Sequence, residues 1–398
     1  MQKTSAVARP KKILFISHSP ALAGAERCLL DIITRLDRTC YEAILILPGE
    51  GLFLSAAREF GIRTEIVSLA WWLDNSNMGP TLLPWFLKHL WRGIAAVRRI
   101  IQNEKIDLVY TNTVTCIDAA IAAKLERVPH IGHIHETIKT MRYRSYLPFV
   151  PVSKIIDMLS TRIITCSQHA ADELGVVSGK VEVVLNGIDM GKIPLHPDCS
   201  LLKNELGLKP TTKLVGLIGS LSERKGQIDF IKAAKIVCET SGDVKFVMVG
   251  SGTDNYRNLL QDLINTYNLG RSVILYGYHG DVPKILPSFD IIVSAARAES
   301  FGLTVLEGMA AARPVISTRC GGPEEILTDG ETGLLVPVGE PAALAGAIIR
   351  LLLDDELCRN MGALARERAE ECFGIELFFG KIMRVIVETA NPSCPPLR

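Results

Sequence analysis

The sequence lacks the signatures that mark several common protein classes. Ten cysteines are scattered through 398 residues, with no Cys-x-x-Cys pair and no Cys/His cluster at zinc spacing. With no secretory signal, they read as the thiols of a reduced, cytosolic chain. The N-terminus is basic (Lys3, Arg9, Lys11, Lys12), but the apolar run that follows, Ile13 to Ile16, has the length of a strand and not of a signal core. No uninterrupted apolar stretch approaches the roughly 20 residues that span a bilayer. The net charge is +1, so overall charge points to no nucleic-acid partner. The first strand runs into His18-Ser-Pro-Ala-Leu-Ala-Gly24-Ala-Glu26. That segment lacks the Gly-x-Gly-x-x-Gly of a dinucleotide site, which argues against an oxidoreductase. Gly250-Ser-Gly252 follows a later strand, but Asn255 replaces the third glycine, and a tight turn is the better reading. The Gly-Lys-Ser/Thr loop of P-loop nucleotide hydrolases is also missing.

What is present is a steady alternation of strand and helix patterns. The length exceeds one ordinary core and suits two domains. Lys12–Ser17, Ala43–Leu47, Thr64–Val67, Leu108–Thr111 and Ile163–Cys166 read as short buried strands, with a helix at Ala25–Leu36. A second series follows: Lys213–Ile218, Val244–Val249, Val273–Tyr276, Ile291–Ser294 and Pro314–Ser317. Continuous apolar strands separated by helices indicate parallel sheets covered on both faces. The break between the series falls in Gly187 to Pro210, which holds Pro194, Pro197 and Pro210. A helical stretch from about Cys372 to Glu388 closes the chain, and the Pro-rich tail Asn391–Arg398 is expected to fray.

Two glutamates eight positions apart, Glu299 and Glu307, carry the most chemical information. Glu299 lies on the loop after the strand Ile291–Ser294. Glu307 lies about two turns into a helix expected from Leu303 to Ala312. Between them stand Phe301, Gly302, Leu303 and Thr304, whose free N–H groups at a helix start favour an anion. A carboxylate on each side of an anion site suits a ligand that also offers hydroxyls, as a sugar nucleotide does. A solvated helix face beside a surface loop is the plain alternative.

The stretch Glu299-Ser-Phe-Gly-Leu-Thr-Val-Leu-Glu307 resembles the paired-glutamate motif of retaining glycosyltransferases of family 4. Other segments resemble that family in the same order, over nearly the whole chain. Ala23-Gly24-Ala25-Glu26 matches its Gly-Gly-Ala-Glu pattern, with Ala23 in place of the first glycine. The resemblance places Gly24 near the donor phosphate and Glu26 near the acceptor. Ile131-Gly132-His133-Ile134-His135-Glu136 matches a family histidine at His135, which implies a contact with the donor sugar. Strand alternation is taken to turn His133 to the opposite side, which argues against zinc binding by the pair. Ser220-Leu-Ser222-Glu-Arg224-Lys225-Gly226 resembles the element that neutralises the diphosphate, through Arg224 and Lys225. Asn186-Gly187-Ile188-Asp189, Gly321-Gly322-Pro323-Glu324-Glu325 and Gly330-Glu-Thr-Gly333 resemble further family turns. No Asp-x-Asp element follows a strand, so no metal is expected.

The resemblance implies an α/β architecture of the GT-B type: two doubly wound Rossmann-like domains facing across a cleft. Residues 1–190 would form the acceptor-side domain, completed by the C-terminal helix from about 372 to 398, and residues 191–371 the nucleotide-sugar domain. The expected activity is retaining transfer of a sugar, a hexose by preference, to a glycan or lipid-linked acceptor. His135 and Glu299 are the expected catalytic residues. Gly24, Arg224, Lys225, Phe301, Gly302, Leu303, Thr304 and Glu307 are expected at the donor, with Glu26 on the acceptor side. The donor would be UDP- or GDP-linked, with no further cofactor. A sugar-nucleotide hydrolase or epimerase on the same fold, or a non-catalytic binding module, are the alternatives.

One region lies outside these motifs. Trp71-Trp72 precede a helix-like stretch from Trp85 to Asn103, with Leu87, Leu90, Trp91, Ile94 and Ile101 at helical spacing. Lys88, Arg92, Arg98 and Arg99 lie on its other face. Peripheral contact with the cytoplasmic membrane face and ordinary core packing are its two readings. Met141 to Phe149, after His135, reads as a mobile acceptor loop.

Overall fold

In the computed structural model, residues 9–74, 83–141, 143–146, 150–193, 198–240 and 242–390 are described. The tail Asn391–Arg398, Pro194 and Pro197 of the junction, and residues 142 and 147–149 of the segment after Met141 lie outside them. The chain divides into one unit of Met1–Leu185 with Phe378–Arg398 and a second of Asn186–Leu377.

Among the described residues, the first unit holds a seven-stranded parallel sheet. Its order is Arg63–Ile66, Tyr41–Leu47, Lys11–Ile16, Leu108–Thr111, His130–Ile134, Arg162–Thr165 and Val181–Val183. Central runs such as Leu14, Phe15 and Ile16 are fully buried because helices cover both faces, which is why they read as continuous apolar strands. The second unit holds a six-stranded parallel sheet in the order Val273–Gly277, Val244–Val249, Lys213–Ile218, Ile291–Ser294, Val315–Thr318 and Leu334–Val336. In each sheet the order reverses once. The reversal falls between Lys11–Ile16 and Leu108–Thr111 in the first, and between Lys213–Ile218 and Ile291–Ser294 in the second. Loops leaving adjacent strands at such a reversal part to opposite sides and open a crevice at the carboxyl ends.

Val181–Val183 and Leu334–Val336 extend the sheets beyond the strands expected from sequence. Each is three residues long, too short to display a period. The closing helix begins at Ile375 and not Cys372, because Gly374 adopts an extended backbone after the helix Asp355–Phe373. Its later turns reach the first sheet's edge, where Arg384 pairs with Glu182 and Arg162 lies 3.8 Å from Glu388.

The helix Leu83–Glu104 buries Phe86, Gly93, Ile94, Val97 and Ile101. The apolar stripe expected from sequence therefore splits. Ile94 and Ile101 face the core, whereas Leu87 and Trp91 are exposed, because the buried arc is centred on Val97 and not on Trp91. The helix crosses Asp118–Glu126 so closely that a Cβ on Gly93 would lie 2.0 Å from Asp118 Oδ1. Burial pushes the Asp118 carboxyl up to about 7, against the backbone N–H of Ala70, which donates to it.

Replacing a mid-helix glycine by alanine ordinarily gains about 0.5–1 kcal/mol. At Gly93 the overpacking cost of about 1–3 kcal/mol should prevail, so Gly93→Ala is expected to destabilise. Gly346, inside the helix Pro341–Leu352, has nothing within 4 Å of an added Cβ, and Gly346→Ala is expected to stabilise. Urea denaturation of the two variants should move in opposite directions.

Candidate active site

In the second unit, the loop after Lys213–Ile218 forms a single 3-10 turn, Glu223–Lys225, before the helix Gln227–Thr240. Gly226 joins the two at φ +71°, where a Cβ would lie 1.8 Å from the carbonyl oxygen of Ala295. Only glycine admits that approach, and it brings the cationic turn against the loop after Ile291–Ser294. The backbone N–H of Arg297 donates to the carbonyl of Arg224 at 2.8 Å, and Arg224 Nη1 donates to the carbonyl of Ala298 at 2.9 Å. Glu299 completes the contact: Lys225 Nζ donates to its Oε1, and Arg224 Nη1 lies 3.4 Å away. Burial pushes the Glu299 carboxyl up, but the Lys225 ammonium and Arg224 guanidinium more than offset this and hold it below its ordinary range.

Gly302 follows with φ +107° and caps the helix Leu303–Ala310 without any side-chain bond. The first-turn amides of Leu303 and Thr304 thus face outward as anion donors. Thr304 is half-buried and donates to the carbonyl of Ile218 at 3.4 Å. The ring of Phe301 is turned into the core against Phe373, so its backbone alone borders the loop. Glu307 is half-buried and is the fifth residue of the helix, in its second turn, nearer the start than the two turns expected. Arg224, Lys225 and Glu299 therefore meet across the strand reversal, with Gly302, Leu303 and Thr304 just beyond. A cavity of about 420 Å³ at the opposite ends of the strands, lined by Lys213, Asp290 and Arg313, contains none of these residues.

The first unit gathers polar residues at its own reversal. Gly24 starts the helix Gly24–Arg35, after Ala23, which supplies no side-chain cap. Glu26 in the first turn is buried, accepts from Ser17 Oγ at 3.3 Å and lies 3.8 Å from His18 Nδ1. Burial pushes its carboxyl up, and His18 partly counters this. Asn112, just past Leu108–Thr111, donates from Nδ2 to the carbonyl of Ala25 at 2.9 Å. That bond fixes the amide, so Oδ1 faces His135 Nε2 at 3.0 Å. His135 must then carry its proton on Nε2, which leaves Nδ1 as an acceptor. Burial lowers its pKa to about 3, so it is neutral at ordinary pH. Glu136 accepts from Thr113 Oγ1 and from the N–H groups of Val114 and His135, which pins the two loops together.

One expectation is corrected. His133 and His135 do not face apart: their ring centroids lie 4.0 Å from each other. Residues two apart on a strand share a face, and it is consecutive residues that alternate. His133 bonds the Tyr110 hydroxyl through Nδ1 at 2.8 Å. Sequence reasoning gave no role to His18, Asn112 or Glu136, although Glu136 stands in the same motif as His135. Their signal was available: Ser17-His18, Asn112-Thr113 and His135-Glu136 each end an apolar run on one of three neighbouring parallel strands.

The comparisons agree with this geometry. The model of glycosyltransferase family 4 matches residues 22–192, and that of glycosyl transferases group 1 matches residues 200–368. The N-acetyl-alpha-D-glucosaminyl L-malate synthase of Bacillus anthracis is 31% identical over 290 residues, 70% of this chain and 73% of that one. A UDP-Gal:alpha-D-GlcNAc-diphosphoundecaprenol alpha-1,3-galactosyltransferase of Escherichia coli is 26% identical over 385 residues, 90% of this chain and 95% of that one. In fold, Anabaena HepE crystallised with UDP-glucose aligns with a TM-score of 0.82 at 24% identity, covering 95% of this chain and 99% of that one. The chain belongs to the group 1, family 4 glycosyltransferases and is an enzyme of that class, built from the two Rossmann-like units of the GT-B fold.

The buried histidines imply a pH dependence. Burial lowers His130 and His135 to about 3 and His133 well below its ordinary value. Unfolded, all three bind protons near pH 6.5. As pH falls from about 6.5, the unfolded chain takes up protons that the folded chain refuses, and stability is lost. Asp118 and Glu26, whose carboxyls burial raises, act in the opposite sense. Three histidines against two carboxylates leave a net loss of roughly 1–2 kcal/mol per pH unit between about pH 6 and 5. Denaturation midpoints at pH 7, 6 and 5 are expected to fall, and a flat or rising series would contradict this.

Proposed function

We propose that this glycosyltransferase moves a sugar from a nucleoside-diphosphate sugar, UDP- or GDP-linked, to a glycan or lipid-linked acceptor with retention of anomeric configuration. The observation that carries the reading is the meeting of Arg224, Lys225 and Glu299 beside the uncapped start of Leu303–Ala310. Two cations and a set of outward amides form a site for a diphosphate. Glu307, one turn further on, is assigned to the nucleotide ribose. When phosphate takes the two cations, the Glu299 carboxylate is released to accept from a hydroxyl of the transferred sugar. His135, neutral and with Nδ1 open, accepts from another hydroxyl without adding charge. Glu26 is assigned to the acceptor.

In the reaction, the bond from the anomeric carbon to the diphosphate oxygen breaks as the acceptor oxygen bonds to that carbon from the same face. The acceptor's proton passes to the departing diphosphate, whose growing charge Arg224 and Lys225 hold. The Escherichia coli relative, named for a UDP-linked donor and a diphosphoundecaprenol-linked acceptor, supports the lipid-linked reading, since the similarity spans 95% of its length. The Bacillus anthracis relative is named for a malate product, so acceptor chemistry varies within the group.

Calorimetry with UDP and GDP tests the donor site. Arg224→Ala and Lys225→Ala are each expected to weaken binding by about 1.5–3 kcal/mol. Glu299→Gln should tighten binding of the bare diphosphate, because a competing carboxylate is gone, while lowering kcat. Unchanged affinity in all three variants contradicts the assignment.

With these cations serving the diphosphate, transfer is expected to persist in EDTA. Activity lost on chelation and restored by magnesium or manganese would overturn that role.

A further inference from the structure

The helix Leu83–Glu104 has a second face that the donor site does not explain. Trp85, Lys88, Arg92, Ala95 and Arg99, spaced alternately by three and four, are all exposed opposite the buried arc. Leu87 and Trp91 stand along its margin. Trp91 is 69% exposed, Trp85 56% and Leu87 49%. From Leu83 to Asn103 the chain contains no Asp or Glu. The carboxylates that border the helix are already engaged: Glu104 with Lys12 and Arg63, and Glu126 with Arg98. Among the described residues, none forms an ion pair with Lys88, Arg92 or Arg99. Exposed Leu125 and Arg127, on either side of Glu126, continue the same mixture of apolar and basic groups.

Charge and apolar character together select the occupant. A second copy seated by a two-fold would set this face against itself, cations against cations. A polyanion would satisfy the cations and leave two indoles and Leu87 in water. A bilayer surface with anionic headgroups satisfies both, because indoles and leucine settle at the headgroup boundary while Lys and Arg reach phosphates. The close crossing at Gly93 fixes the helix by its buried side, so the outer face is formed before contact and costs little ordering.

We propose that the outer face of Leu83–Glu104, led by Trp85, Trp91, Lys88, Arg92 and Arg99, docks the first unit on an anionic membrane surface. No helix among the described residues is long and apolar enough to cross a membrane, and the contact proposed is peripheral. It goes beyond the catalytic reading and does not depend on it.

The test is flotation of the full chain with vesicles of phosphatidylcholine, alone or with about one-third phosphatidylglycerol. Binding is expected with the anionic vesicles and little with the neutral ones. Trp85→Ser with Trp91→Ser should cut the bound fraction roughly tenfold. Each of Lys88→Ala, Arg92→Ala and Arg99→Ala should cut it roughly fivefold. Melting curves and UDP affinity of these variants are expected to match the parent, which separates failure at this surface from failure at the donor site. Three results would overturn the proposal: no preference for anionic vesicles, binding to heparin that survives loss of both tryptophans, or a dimer that dissociates when they are replaced.

Discussion

Burying a carboxylate as deeply as that of Glu299 costs several kcal/mol unless its charge is met. Lys225 and Arg224 meet it, and in doing so they tie the loop after Lys213–Ile218 to the loop after Ile291–Ser294. Removing one partner of such a pair ordinarily costs roughly 3–5 kcal/mol, because the survivor is left unpaired. The same charges therefore hold the two loops together, and on the proposed reading they keep a diphosphate site in being before any donor arrives. On that proposed reading the ligand's own negative charge replaces that of Glu299, and the carboxylate then becomes available to a hydroxyl.

The first unit manages charge in the opposite way. Its polar residues also gather at a strand reversal, but burial there removes charge instead of pairing it. His133 and His135 are held neutral, and the Glu26 carboxyl is pushed toward its protonated form. Uncharged imidazoles suit sugar hydroxyls, as a cationic turn suits phosphate. The fold provides both by the same device, a parallel sheet whose order reverses once, and the residues placed at the reversal decide the chemistry.

Much of this was legible in the sequence. The apolar strands of both sheets follow from continuous runs such as Lys213–Ile218 and Ile291–Ser294, and the motif from Glu299 to Glu307 marks the helix start between them. What was not legible depends on contacts between distant segments. Lys225 and Glu299 are 74 positions apart, and no local pattern announces that they share a bond. Asn112 and His135 are 23 apart, and the histidine's tautomer follows only from the bond that orients the amide. The inner face of Leu83–Glu104 was not legible for a related reason. Leu87, Trp91, Ile94 and Ile101 all fit a helical stripe, and the crossing with Asp118–Glu126 at Gly93 decides which of them are covered.

A crystal structure of the full chain with UDP puts the role of Glu299, Arg224 and Lys225 to the most direct test. The expected result is a diphosphate within hydrogen-bond reach of Arg224, Lys225 and the amides of Leu303 and Thr304, with Glu299 drawn away from the cations. A diphosphate bound elsewhere, with Arg224 and Lys225 still closed on Glu299, would contradict it.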